Sequence, residues 1–583
     1  MKEWSLDILY KGYDDPEFTQ DLDKLTNLIN EIKEYSKSLT RDDEVKTLCT
    51  MMDLLERLQL LEYPLFVYVN LRQSTDTTDV ETSNYQTRLM ALTASISKAI
   101  SIFNRYIAET EALDAYIEEN EQLHAYAYLL KSTKRDAKYQ LSDEVEDVIS
   151  KMDLNAGSAW SNLREFVTST MNVVYRGEDS NLSAVRNLAY DGDPQVRKDA
   201  YEAELTSYEQ VKDSIAFALN SIKGQANTIS ELRGYTSPLD MTLHQSRMKK
   251  ETLDAMFTAM KEYFPKFHAY LKQKAKLLGH ANGLPWYDLF APLGENHKRY
   301  SIDEAKQYLL DHFRPFADDM ADMMERAFDE SWIDFYPKKG KVGGAFCENL
   351  PFVKQSRVLT NYDGSLGDIV TLAHELGHAY HGLMIEDHRP LNWDYSMPVA
   401  ETASTFNENI IMNAAIDAAD HDEKIVLIET QLQDLTQIMC DIYSRFLFEQ
   451  EVFERRKNEF LNAEELKNIM LEAQKEAYGD GLDPEYLHPY MWINKSHYYS
   501  ADLNFYNFPY AFGGLFARGL VVKYQEMGDA FVDKYREMLK ATTVMDVEEV
   551  ADIMDIDLTD INFWRSALDT AAKRIDEFLE LTK

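Results

Sequence analysis

Residues 371–384 read TLAHELGHAYHGLM. Leu372, Leu376, Ala379, Tyr380 and Leu383, joined by Ile369 just upstream, recur at helical spacing and form one apolar stripe. His374, Glu375, His378 and His381 interrupt a run in which leucines would pack at lower cost. His374 and His378 are one helical turn apart, so their rings leave the same face with roughly 5–6 Å between them. Two imidazoles at that separation can share one Zn²⁺ at about 2.0–2.1 Å each. Glu375 lies about 100° further round the helix, where it can reach a water on the metal without being a ligand. Unpaired imidazoles and carboxylates are costly among apolar residues. A mid-helix glycine costs about 1 kcal/mol, so Gly377 implies the close approach of another backbone.

A catalytic zinc needs a third protein ligand and leaves its fourth position to water. Downstream, PVAETASTFNENIIMNAA (398–415) has helical period, with Phe406, Ile410, Ile411 and Ala414 on one side. Glu401, Ser404 and Glu408 share another face. A second helix packed on the first would bring Glu401 to the metal. His381 as a fourth ligand would close the site, so it is assigned a supporting or packing role. Asp368 and Glu408 are both candidates to hold the far nitrogen of a ligand imidazole.

Upstream, GKVGGAFCENLPFVKQSRVLTNYDGSLGD (340–368) abandons the helical pattern. Its glycines and β-branched residues predict a small sheet at about 340–362, with strands at Val342–Cys347 and Arg357–Thr360. A turn at Asp363-Gly364 follows, then Ser365 as the cap of a helix over about 366–384. Gly343, Gly344 and Ala345 would let a peptide backbone approach and add itself to the sheet edge.

The rest of the chain is mostly helical. Leu22, Leu25, Leu28, Ile29 and Ile32 form one stripe; Leu432, Leu435, Ile438, Met439, Ile442, Phe446 and Leu447 form another within 431–453. With 22 Gly and 15 Pro in 583 residues, long helices are favoured over turn-rich sandwiches. That length exceeds one ordinary core and predicts two or more lobes. The polar stretch YRGEDSNLSAVRN (175–187) is read as the joint between an N-terminal helical lobe, 1–185, and a catalytic region, 186–583. RGYTSPLD (233–240) and the segment 283–299 are read as loops.

Sixty-one basic against 100 acidic residues give a net charge of −39, which repels phosphate backbones and anionic lipid. Nucleic acid is thereby excluded as an expected partner. No uncharged apolar run reaches the ~18 residues of a membrane helix. The opening MKEWSLDILYKGYDD turns acidic where a signal peptide would stay apolar. Cys49, Cys347 and Cys440 are odd in number and far apart, so disulfides are not expected. A soluble, cytoplasmic protein is expected; its oligomeric state is not read from the sequence.

DIVTLAHELGHAYH followed by PVAETASTFNE resembles the oligoendopeptidase F branch of the thimet oligopeptidase family of zinc peptidases. The upstream GGAFC and the downstream HYYSADLNFYNFPYAFGGLFA are similar to the same family. The resemblance implies one Zn²⁺ on His374, His378 and Glu401, with Glu375 as general base. It also implies that a histidine and one or two tyrosines of HYYSADLNFYNFPY (497–510) meet the substrate carbonyl: His497 and Tyr510, then Tyr506. That segment has no helical stripe, and with Pro509 and the following Gly513-Gly514 it is read as an irregular loop facing a cleft. Phe508 stands where relatives often have another tyrosine. A deep channel between two helical lobes, admitting short unstructured peptides and excluding folded proteins, is likewise implied by the resemblance.

The expectation is therefore a zinc endopeptidase on a mostly α-helical, two-lobed body. A zinc carboxypeptidase on a similar scaffold is the nearest alternative, and a non-catalytic helical peptide-binding protein is the alternative from another class.

Overall fold

Helices make up nearly all of the computed structural model, which describes residues 2–294 and 298–583. Residues 295–297 of the predicted 283–299 loop lie outside the described residues. Prolines fall where helices begin: Pro16, Pro194, Pro238 and Pro509 all sit in first turns, where a missing N–H costs nothing. Pro64 and Pro265 are the interior exceptions. Side-chain caps close the exposed amides at helix starts, among them Asp15, Asp43 and Ser237.

The elements that matter for the site are few. Helices α1 (Pro16–Ser36) and α2 (Glu44–Thr75) open the N-terminal part. A hairpin of β1 (Val173–Tyr175) and β2 (Glu178–Ser180) follows. Strands β3 (Ile333–Asp334), β4 (Phe346–Leu350) and β5 (Gln355–Leu359) make a three-stranded sheet. Helices α3 (Leu366–Ile385), α4 (Thr402–Ala418) and α5 (Phe508–Met527) carry the site.

The sheet order is β3-β5-β4, with β3 parallel and β4 antiparallel to β5. The outer strand begins at Phe346, four residues later than the sequence indicates. Gly344 has φ +78°, and Asn361 Nδ2 donates to the carbonyls of Val342 (3.1 Å) and Gly344 (2.8 Å), which hold 342–345 as a loop. The inner strand lies two residues earlier than expected, paired through Phe346↔Leu359 to Leu350↔Gln355.

The stretch 175–187 is not a plain linker. Arg176 (φ +50°) and Gly177 (φ +85°) form the two-residue turn of the β1–β2 hairpin, and Leu182–Asn187 is helical. The helix expected through 431–453 is broken by a π-helical turn, Gln437–Asp441, between His421–Thr436 and Ile442–Arg456. Such turns store an extra residue in a helix and recur at functional sites.

Three buried apolar clusters result. One gathers Leu9 to Leu130 from the N-terminal helices, with Leu350 of β4 added. A second joins Val173, Leu182 and Val185 to Phe448, Trp492 and Tyr499. The largest runs from Ala226 to Phe578 and holds the apolar faces of α3, α4 and α5. Polar contacts tie the N-terminal helices to the sheet side: Tyr63 Oη donates to Glu348 (2.9 Å), and Arg389 pairs with Glu56 (2.6 Å).

Candidate functional site

Helix α3 is fixed at its start by a reciprocal cap. Ser365 Oγ accepts from the Asp368 amide (3.1 Å), and the Asp368 carboxylate accepts from the amides of Asp363, Gly364 and Ser365 at 3.0 Å each. Asp368 is thereby occupied as a cap and does not reach an imidazole. The apolar stripe buries Leu366, Ile369, Leu372, Leu376 and Tyr380. Gly377 faces α4 at its start: a Cβ there would lie 2.6 Å from both Ala403 O and Ser404 Cα. The glycine is what allows the two helices to close, and Asn407 Nδ2 locks them by donating to Ala373 O at 3.1 Å.

That closure brings three groups together. Glu401, at the N-terminal boundary of α4, places Oε2 3.4 Å from His374 Nε2 and 3.4 Å from His378 Nε2. The ligand-type atoms of His374, His378 and Glu401 all lie within 4.8 Å of one another. The two rings stand at 81° with centroids 4.9 Å apart. Gly513 of α5 completes the pocket, because a Cβ there would sit 2.8 Å from Glu401 Cβ.

The donor set fits a cation. Glu408 Oε1 lies 2.6 Å from His374 Nδ1 and accepts from it, so in the neutral ring the proton stays on Nδ1 and Nε2 is left as a lone pair. In the neutral ring the Nε2 lone pair faces the Glu401 carboxylate at 3.4 Å, an arrangement that needs positive charge between them, whether a proton or a metal cation. Burial would lower the His374 pKa, but the hydrogen bond and charge of Glu408, with Glu375 and Glu401 behind, lift it to about 9. Burial would likewise raise Glu401; His378, His374 and the Ser404 hydroxyl (2.8 Å) outweigh it and draw the carboxyl down to about 2. Two imidazoles and one carboxylate are a borderline-soft set suited to zinc.

Glu375 is buried, and its Oε2 has no hydrogen-bond partner among the described residues. Burial, above all, pushes its carboxyl up from the usual range, against the pull of His374 and His378. His381 is fully buried, stacks on Tyr395 at 4.1 Å, and meets Thr542 Oγ1 at 2.8 Å. Burial, then the charge of His378, drops its pKa to about 3, so it packs as a neutral ring.

The segment 497–510 is more ordered than the sequence indicates. Ser496–Tyr499 is a 3-10 turn, and α5 begins at Phe508 with Pro509 in its first turn. Tyr510 is therefore helical, and Gly513 and Gly514 are close-approach glycines inside the helix, the latter against Ile438. His497, Tyr506 and Tyr510 cluster with centroids 4.8, 6.1 and 5.7 Å apart. Tyr498 and Tyr499 are buried, with hydroxyls turned to the carbonyls of Arg445 (3.4 Å) and Trp492 (2.8 Å).

A chain of contacts the sequence did not disclose fixes His497. Asp441, on the π-helical turn, pairs with Arg445. Arg445 donates to Asn507 Oδ1 at 3.0 Å, and that oxygen lies 3.2 Å from His497 Nδ1. A guanidinium only donates, so the oxygen of Asn507 must face it. His497 Nδ1 must then carry the proton, and in the neutral ring Nε2 is an acceptor. Burial and then Arg445 hold the His497 pKa below its usual value and favour that form.

Gly343, Gly344 and Ala345 lie in the loop before β4, and nothing occupies the space where a Cβ on either glycine would project. Strand β4 runs beside α3: Gly382 abuts Asn349, and Glu375 is the foremost charge acting on the buried thiol of Cys347. Among the described residues no helix is long and apolar enough to cross a membrane.

Comparison with known proteins gives concordant results. Residues 187–570 match the family model described as Peptidase family M3, and residues 108–172 match that described as Oligopeptidase F. The chain is 25% identical over 578 residues to the Group B oligopeptidase PepB of Streptococcus agalactiae, covering 97% of this chain and 94% of the other. It is 24% identical to an oligoendopeptidase F homolog of Lactococcus lactis, covering 100% and 97%. Among solved structures, a putative peptidase from Chlamydophila abortus superposes with a TM-score of 0.83 at 20% identity, covering 100% and 98%. Oligoendopeptidase-F from Enterococcus faecium gives 0.73 at 21%, covering 97% and 98%.

Proposed function

The chain belongs to peptidase family M3, in its oligopeptidase F branch, and from that premise we propose that His374, His378 and Glu401 hold the zinc of this metalloendopeptidase while Glu375 serves as its general base. The observation that carries this reading is the convergence of three ligand-type atoms beside a buried carboxylate oxygen that has no hydrogen-bond partner among the described residues. Zinc, when bound, supplies a Lewis acid that acidifies water and polarises a carbonyl. Glu375 takes the proton of the attacking water and passes it to the leaving amine. Its raised pKa suits both halves of that task.

Tyr510 and Tyr506 donate to the carbonyl oxygen as it gains charge. Burial pushes the Tyr510 hydroxyl above its ordinary pKa, so it stays a donor. His497 stands beside them, but with Nδ1–H committed to Asn507 it accepts from a substrate N–H through Nε2 and leaves the oxyanion to the tyrosines. This refines the role the family resemblance gives it. Glu408 holds His374 in its metal-facing tautomer. Replacing Glu408 with Ala should weaken zinc binding about 10- to 100-fold, read by competition with a chelator.

Strand β4 is the outer strand of its sheet, and an extended peptide laid along it would pass Gly343, Gly344 and Ala345 before meeting Glu375. Backbone pairing of that kind tolerates many sequences. The accompanying architecture is an N-terminal helical lobe, 1–185, facing a catalytic region, 186–583, across a channel that admits short unstructured peptides. Three cysteines without disulfide partners support a reducing, cytoplasmic setting.

A fluorescence-quenched peptide blocked at both ends tests the reaction. The endopeptidase cleaves it at an internal bond. A carboxypeptidase leaves it intact, and so does a protein that only binds peptides.

A further inference from the structure

Next to His497 lies a cavity of about 530 Å³ between the helices Leu182–Asn187 and Pro194–Tyr208, the π-helical turn, and the one-turn helix Met491–Asn494 with Lys495 after it. None of the three ligand residues lines it. It meets the catalytic side through Lys495, two residues before His497, and through Arg445, which holds Asn507 against that histidine.

Most charges in its wall are neutralised within the protein. Arg197 pairs with Asp288 (2.7 Å), Arg186 with Glu204 (3.3 Å), and Arg445 with Asp441. Lys495 Nζ has no hydrogen-bond or ion-pair partner among the described residues. Arg445 Nε and His488 Nδ1 are buried in the same wall without hydrogen-bond partners among the described residues, while His488 Nε2 faces Glu204 Oε1 at 3.4 Å. Buried polar groups are nearly always satisfied, so several orphans in one cavity mark the place of a missing ligand. Asn494 Oδ1 is an orphan acceptor of the same wall, whereas the orphans of Lys495 and Arg445 are donors, one of them an ammonium. Asp434, also in the lining and lifted to about 7 by burial and by Glu408 and Glu429, would repel an anion and favour its pairing with Lys495.

We propose that this cavity receives the C-terminal carboxylate of the peptide, with Lys495 as its counter-ion. The inference rests on the peptidase reading above and adds a ruler to it. A terminus fixed next to His497 sets how many residues lie between the cut bond and the end of the chain. Burial, then repulsion from Arg445, holds the free Lys495 amine at about 7, and a carboxylate is the neighbour that restores its charge. A peptide's ammonium terminus would be repelled by Lys495 and Arg445 and could pair only with Asp434.

The test is a binding measurement, so that it does not depend on hydrolysis. Zinc-loaded Glu375→Gln protein is titrated by calorimetry with a short N-acetylated Ala/Gly peptide, as the free acid, as the amide, and as an amide ending in Glu. The free acid should bind about 10- to 100-fold more tightly than the plain amide, the usual range for losing a hydrogen bond to a charged group. Adding Lys495→Met should abolish that ratio, and Lys495→Arg, which keeps the charge, should retain most of it. Equal affinity of acid and amide in the Lys495 protein, or a ratio that survives Lys495→Met, overturns the proposal. Tight binding of the Glu-ending amide would assign the cavity to an acidic side chain and overturn the terminal assignment. Failure of the peptidase reading would show separately, as blocked peptide left uncut by wild-type protein.

Discussion

Replacing Glu375 with Gln should leave one equivalent of zinc bound and lower kcat by about 10²- to 10⁴-fold, with KM little changed. The side chains are nearly the same size, and the site is buried, so packing is preserved. What is lost is the ability to take a proton. Glu375 Oε2 makes no hydrogen bond among the described residues, so none at that oxygen disappears with its charge. That separates a catalytic loss from a structural one: the thermal midpoint and metal content should match the wild type while turnover collapses. Full activity in this variant would mean that another group serves as base.

Replacing Glu401 with Ala should have a different signature. It removes one of the three proposed ligands and the acceptor of the Ser404 hydroxyl. It also leaves His374 Nε2 and His378 Nε2 without the oxygen that faces both at 3.4 Å. Metal content after dialysis should fall well below one equivalent, and activity should fall with it. Ligands that bind only the folded state stabilise it by mass action. Added zinc should therefore raise the thermal midpoint of the wild type much more than that of the variant. An Ala variant that retains stoichiometric zinc would place the third ligand elsewhere.

The parts of this site that the sequence disclosed are those encoded by local spacing. His374 and His378 one turn apart, the apolar stripe around them, and Gly377 as a close-approach residue all follow from helix geometry. Glu401 was readable because a second helix had to pack at Gly377, and its contact with Ala403 and Ser404 sets the ligand's position. Glu408 was one of two candidates; distinguishing it from Asp368 required seeing that Asp368 is consumed by its own cap.

The parts it did not disclose are tertiary. Asp441, Arg445, Asn507 and His497 come from three segments, and no periodicity joins them. The π-helical turn that carries Asp441 looks like ordinary amphipathic helix in sequence, because one extra residue barely disturbs the apolar stripe. Gly513 and Gly514 suggested a loop, since glycine weakens helices. Here packing against Glu401 and Ile438 decides, and the helix forms around them. The outer strand starts four residues late because Asn361 claims the carbonyls of Val342 and Gly344, a pairing that spacing alone does not reveal.

The most direct test of the metal centre is anomalous X-ray scattering at the zinc edge from crystals of the purified protein. The expected result is one strong peak per chain, bonded to His374 Nε2, His378 Nε2 and the Glu401 carboxylate, with Glu375 beside it and not bonded. Zinc absent from that position, or held by His381 in place of Glu401, would contradict it.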